Sequence, residues 1–337
     1  MTMSSTNQRP KQPDLNLASP ARAERRWRDI LTLAGLSALV LAGLLAMAAT
    51  VGWEETRAQL SRLSLWQFLI LLGLSLINYF FRGMRWHLFT RKLGLPTHML
   101  QDLRHFLGGF AMSVTPGRVG ELVRMRWLRR ETGWSFERTA PLVLMDRASD
   151  LASMALILGL SVSMSAAGIA GALPVTFLAL AAAVVATRPR LLAGLVTFSY
   201  RLTGKAPRLF ARFRGAARSL KHFSSPDVMI PALALGLIGW SAEGYAFDLL
   251  LNWMGADIGF FKAVAIFVFA TLAGGLTGAP GGVGGAEAAI VALLAMEGVP
   301  LEISLPATVI IRVTTLWFAI LIGLAVFPIA ERYSRKD

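Results

Sequence analysis

The sequence predicts an all-α, polytopic membrane protein of about six spanning helices plus two Pro-Gly re-entrant hairpins, arranged as inverted repeats. Three observations lead there. The 337 residues are 55% hydrophobic and 16% charged, with a mean hydropathy of +0.55, which is too apolar for a water-soluble domain of this length. Apolar runs close to the ~20 residues that a helix needs to cross a bilayer recur along the chain. Two further apolar stretches are cut by Pro-Gly and resemble one another.

Residues 1–29 are polar, basic and Pro-containing, as in a disordered cytoplasmic tail. Spans are expected at 30–52, 63–81, 139–164, 169–187, 227–251 and 304–328, forming a single transmembrane domain over 30–329 before a cytoplasmic tail at 330–337. Ala46-Met47-Ala48 imitates a signal-peptidase site, but the apolar run before it is too long and starts too late for a cleaved signal, so it reads as a retained helix. The interrupted stretches are 103–130 and 258–297. Cysteine is absent, which removes disulfides and thiolate metal sites.

The net charge of +14 is spread between apolar spans rather than gathered on one soluble face, which argues against nucleic acid as a partner. Lysine and arginine accumulate on the cytoplasmic side of membrane proteins. With the N-terminus inside and neither interrupted stretch crossing fully, 29 of the 34 basic residues fall on the cytoplasmic side. Arg57, Arg62 and Lys262 lie outside, and Arg147 and Arg312 lie within spans. Both termini are therefore expected in the cytoplasm.

The two interruptions read "SVTPGRVGEL" and "TGAPGGVGGAEA". Pro116 aligns with Pro280; each is followed by Gly, one residue, Val-Gly, and then Glu121 or Glu287. Gly133, Glu137, Pro141 and Arg147 find the same residue type 165 positions later, at Gly298, Glu302, Pro306 and Arg312. The expected repeats cover 30–164 and 169–329. Three crossings separate corresponding elements, so the copies run in opposite directions, as in transporters whose broken segments mark the substrate site. Proline removes a backbone donor and glycine permits tight geometry. Broken backbone survives at membrane depth only against protein or a watery cavity, because each orphaned group in lipid costs several kcal/mol. Freed N–H groups at a half-helix start attract anions. The candidate set here is Pro116, Gly117, Arg118, Gly120 and Glu121, with Pro280, Gly281, Gly282, Gly284 and Glu287. Close helix packing is the better account of a lone pair of glycines; the prolines, glutamates and duplication reverse that preference and favour a site.

Ionisable residues inside spans are costly and face the bundle interior. Asp146 and Asp150, at i and i+4 in "MDRASD", share a helix face beside Arg147, and Glu243 and Arg312 stand on later spans. Either the arginines neutralise carboxylates to hold helices together, or Arg147 and Arg312 meet an anionic headgroup that the acids position. The four histidines lack metal spacing and fall on the flanks as surface or interfacial residues. No nucleophile elbow or zinc-protease signature occurs, so no catalytic residue, metal or cofactor is expected. The stretch 207–223 has apolar residues at helical spacing and should lie on the anionic leaflet.

"TPGRVGELVR", "DRASDL" and "APGGVGGAEAAI" resemble the signature stretches of the flippase-like family named for the transmembrane region of lysylphosphatidylglycerol synthase, the membrane half of the bacterial multiple peptide resistance factor. The resemblance runs from the first span to the last. It implies a bacterial or archaeal multi-pass protein that moves or matures lipids, with anionic phospholipid or polyprenyl-linked lipid as partners; the location expected here is the bacterial cytoplasmic membrane. Asp146-Arg147 stands where the family commonly has Glu-Arg, which keeps the charge. The sequence ends at Asp337 without a soluble aminoacyl-transfer domain, so synthase activity is not expected. The expected function is transbilayer lipid transport by alternating access. The alternatives are an accessory or catalytic subunit working beside a lipid-biosynthetic enzyme, and a proton-coupled carrier of a small anion.

Overall fold

The computed structural model describes residues 63–115, 122–164, 172–188, 220–223 and 225–335, with short helical pieces at 190–191, 193–195 and 197–198. The expected 1–29 tail, the 30–52 span and most of the 207–223 stretch lie outside the described residues. Among the described residues every regular element is helical.

Helix α1, Leu65–Leu93, starts at a capping box in which Ser64 and Gln67 satisfy each other's backbone N–H groups. It stops where Gly94 adopts the left-handed conformation (φ 84°) that closes a helix end. It therefore runs a dozen residues past the expected end at 81, and this extension carries Arg82 and Arg85 into the bundle. Helix α2, Met99–Gly108, continues as a tighter 3-10 turn, Gly109–Val114. Helices α3, Leu122–Thr132, and α4, Phe136–Met164, follow, and α5 covers Ala172–Thr187. The 28-residue α6, Pro226–Trp253, opens with proline in its first turn, where the missing N–H costs nothing. Helix α7, Phe260–Leu276, is separated from α8, Gly285–Met296, by the short Pro280–Gly282 turn. Helix α9, Leu301–Arg312, passes through a π turn, Val313–Trp317, into α10, Phe318–Tyr333.

Three stretches, Leu65–Leu93, Pro226–Trp253 and Leu301–Tyr333, are long and apolar enough to cross a membrane. The equally long α4 carries Asp146, Arg147 and Asp150 in its middle. The last span extends beyond the expected 304–328. Its final turn is no free tail, because Ala330 and Glu331 are buried.

Helix α1 packs chiefly on α6, and α4 packs on α5, α7 and α6. Helices α7 and α8 form a close hairpin, and α10 crosses the 3-10 turn and α2. On α4, Leu142 and Met145 belong to one apolar cluster and Met154, Ala155 and Leu158 to another; on α6, Val228 and Ala232 are divided in the same way from Phe247 and Leu250. The charged positions lie between these two layers. At one edge Glu331 accepts from Arg126 (2.6 Å), Arg130 (2.5 Å) and the Trp127 indole N–H (2.8 Å), fastening α10 to α3.

His98 is exposed, as expected of a surface or interfacial histidine, but the structure corrects that expectation for His105. His105 is fully buried and stacks on Trp127, with ring centroids 5.8 Å apart. His87 is half-buried, its Nδ1 2.6 Å from the buried Asp102, which also accepts from Thr90 and Thr97 and ties the end of α1 to α2. Among the described residues no group of three metal-capable side chains comes together. Leu220 and Phe223, which close the 207–223 stretch, are buried, and Phe223 meets Phe89 edge to face.

Candidate functional site

The i, i+4 spacing of Asp146 and Asp150 sets both carboxylates toward α1. The Arg85 guanidinium reaches both through one nitrogen, 2.6 Å from each. Arg82, one turn earlier, donates to Asp150 at 2.7 Å and lies 4.8 Å from the Trp240 ring centroid. Trp240 in turn donates its indole N–H to Asp150 at 3.1 Å. Arg147 lies 3.2 Å from Asp146 and 3.4 Å from Asp150, while Arg124 from α3 is 3.5 Å from Asp146. Arg124 also stands over the Phe106 ring at 4.5 Å. Both aspartates are buried, as are Arg82, Arg85 and Arg124. Buried charges persist when paired; each charge here has an ion-pair partner, while Arg82 Nε and Arg85 Nε and Nη1 make no hydrogen bond.

Arg82, Arg85 and Arg124 are the residues that sequence reasoning missed. The charge count assigns them to cytoplasmic loops; the structure corrects this by placing them in the bundle. The available signal was the Asp146/Asp150 pair itself, since two buried carboxylates on one face need more positive charge than Arg147 alone provides.

The second break is held by a smaller clamp. Glu287, in the first turn of α8, accepts from the Gly284 backbone N–H and from Arg312 Nε, both at 2.6 Å. Arg312 also donates to the Gly281 carbonyl at 2.8 Å. Gly281, Gly282 and Gly284 all have positive φ (61°, 69° and 87°), a region that other residues enter only at a cost. The Gly284 donor, a candidate for anion binding, is thus occupied by Glu287. After Arg312, the π turn carries the Thr315 carbonyl to the Tyr79 hydroxyl, which donates to it.

Between these two networks lies a cavity of about 90 Å³, bordered by Arg82, Arg147, Arg312, Glu243, Tyr79 and the Gly281-Gly282 backbone. The structure therefore brings Arg147, Glu243, Gly281, Gly282 and Arg312 to one space. Asp146, Asp150 and Glu287 stand behind it, each holding an arginine that borders it. Gly284 lies beyond it at the start of α8, and Pro280 opens the turn that forms part of its wall. Pro116, Gly117, Arg118, Gly120 and Glu121 lie outside the described residues.

The positional matches of the repeat also hold in the helices. Gly133 and Gly298 both have left-handed φ (74° and 79°). Glu137 and Glu302 are the second residues of α4 and α9, Pro141 and Pro306 the sixth, and Arg147 and Arg312 the twelfth.

Apolar helices of spanning length around a buried, ion-paired core define an all-α integral membrane protein. The chain matches the family described as the lysylphosphatidylglycerol synthase TM region over residues 32–323, and it belongs to that family. A UPF0104 membrane protein of Methanothermobacter thermautotrophicus is 25% identical over 319 residues, covering 86% of this chain and 94% of that protein. A second match to a UPF0104 membrane protein of the same organism is 29% identical over 109 residues, about a third of each chain (32% and 32%). These relatives are archaeal, so similar chains are not confined to bacteria.

Proposed function

We propose that the chain moves lipid headgroups across the bilayer, as a flippase or scramblase-like transporter without covalent chemistry of its own. One observation carries the reading: a cavity beside the Gly281-Gly282 break, bordered within the apolar bundle by Arg82, Arg147 and Arg312. Such residues at membrane depth mark substrate pathways. The family's description names the membrane region of a lipid synthase, which supports a lipid as cargo. The cargo proposed is anionic phospholipid or polyprenyl-linked lipid. In this reading the phosphate meets the arginines while the acyl chains remain in lipid. An apolar groove of about 270 Å³ between α4 and α6, bordered by Met145, Ala148, Ser149, Ala152, Met229 and Leu233, offers an acyl chain a place on the bundle. The proposed orientation has both termini in the cytoplasm.

Purified protein in liposomes containing labelled phosphatidylglycerol tests this. Faster exchange between leaflets is expected, with or without an imposed pH gradient, and Glu287→Gln should slow it by releasing Arg312 from its clamp. Gly117→Leu should slow it further by filling the first break. A folded sample that accelerates neither anionic nor polyprenyl-linked lipids under either condition rules the transporter out and favours an accessory subunit.

A further inference from the structure

The arginines around the central cavity already have carboxylate partners. Arg82 is held by Asp150, Arg147 by Asp146 and Asp150, and Arg312 by Glu287. Glu243 differs from them. Its side chain borders the same cavity and is 5% exposed, yet it makes no hydrogen bond or ion pair with any described residue. A carboxylate taken out of water without a partner carries a large penalty in its charged form, and an ionisable group so placed in a membrane bundle marks a proton or ion pathway. The cavity, at about 90 Å³, is large enough for water to reach it.

The groups facing Glu243 come from every helix packed on α6. Helix α1 presents Tyr79 and Arg82, α4 presents Arg147 and Asp150, and α9 presents Arg312 with Glu287 behind it. Helix α7 contributes Phe267 and Thr271, which carry no charge. Arg82, Arg147 and Arg312 at the cavity wall supply positive charge, and Asp150 and Glu287 behind them supply negative charge.

We propose that Glu243 is the proton-loading group of the transport cycle, resting on the lipid-transport reading above. A phosphate that engages Arg82 or Arg312 cancels the positive field that favours the Glu243 anion. The carboxylate then takes a proton from cavity water to become the carboxylic acid. When the phosphate leaves on the other side, the arginines recover their field and the proton returns to water there. One proton is gained and one lost per cycle, with no other bond made or broken. Headgroup and proton thus favour each other's binding, and such coupling is reciprocal by linkage.

The test pairs a spectroscopic readout with a transport readout. Infrared difference spectra of wild-type protein in lipid, recorded across a pH titration, should contain a protonated-carboxyl C=O band that shifts in deuterated water and is missing in Glu243→Gln. Adding phosphatidylglycerol should increase that band. Because glutamine mimics the neutral acid, the variant should unfold at a temperature no lower than wild type, which also checks its fold. In liposomes, an imposed pH gradient should change the wild-type rate of lipid movement several-fold, and the ratio of rates with and without the gradient should fall to one in the variant. Lipid movement that ignores the gradient, with no Glu243-dependent band at any pH, overturns proton loading and leaves transport standing. A wild type that moves no lipid overturns transport, and absence of the band in that sample overturns proton loading as well.

Discussion

Arg85 and Arg147 contact the same two aspartates from opposite conditions of burial. Arg85 has no exposed side-chain surface and bridges Asp146 and Asp150 at 2.6 Å each, whereas a quarter of the Arg147 side chain is exposed (25%) and its contacts are longer, 3.2 and 3.4 Å. Removing one partner of a buried pair leaves an uncompensated charge and typically costs about 3–5 kcal/mol. Arg85→Gln should therefore deplete or unfold the protein, as read by thermal unfolding in detergent. Arg147→Gln should remain folded, with altered lipid affinity or exchange. A reversed outcome would make Arg147 the structural pillar and remove it from the site. The acids were legible because an i, i+4 pair of aspartates inside an apolar run is too costly to face lipid and must turn to the bundle interior. Their α1 partners were not, because arginines at the end of an apolar run look alike in sequence whether they enter water or turn inward. Only the continuation of α1 to Leu93 separates the two cases.

Among the helices, the Pro280-Gly281 break was legible from residue chemistry, and the structure places it between α7 and α8. The π turn after Arg312 and the 3-10 ending of α2 left no such mark, since both follow from packing rather than from local propensity. Gly282 shows how tightly the break is built: a Cβ there would sit 3.0 Å from the Gly274 carbonyl carbon, at φ 69°. Gly282→Ala should cost about 1–2 kcal/mol from the left-handed backbone alone, with added loss from the clash, seen as a lower unfolding temperature and easier proteolysis between α7 and α8. The α2–α3 contact responds instead to pH. Burial pushes the Glu131 carboxyl up, but His105 (3.0 Å), Gln101 and Arg104 (2.9 Å) outweigh it and hold it below the usual glutamate range. A group whose folded pKa is depressed contributes stability above its unfolded pKa and loses it as the pH falls through the folded value. Hydrogen exchange in 99–108 and 122–132 should therefore stay slow near neutrality and quicken on acidification below the glutamate range. Glu131→Gln should exchange faster at neutral pH and lose that dependence; an unchanged pH profile would discount the contact.

At the scale of the molecule, one ion pair and two apolar clusters identify its two ends. Lys92 at the end of α1 meets Asp227 at the start of α6 at 2.5 Å, and Trp134 packs with the cluster that contains Leu95 and Leu220. Trp253 and Met254, at the other end of α6, pack with the cluster that contains Val299. The 28 residues of α6 make a rod of about 42 Å at 1.5 Å per residue, so the starts of α4 and α9 lie at opposite ends of the bundle. That is the arrangement an inverted repeat requires, because Phe136 and Leu301 open the matching helices. Moving Arg82, Arg85 and Arg124 from the loops to the core leaves the charge bias intact, since Arg57, Arg62 and Lys262 remain the basic residues assigned to the outer side. The chain contains no native cysteine, so single cysteines report position without background. Ser135 and Glu302 are both exposed, unlike the buried Val299, and neighbour those two helix starts. With an impermeant thiol reagent on intact cells, Glu302→Cys should label and Ser135→Cys should label only after the cells are opened. Labelling of both from the outside, or of neither, would place the two helix starts on one side and end the inverted-repeat topology.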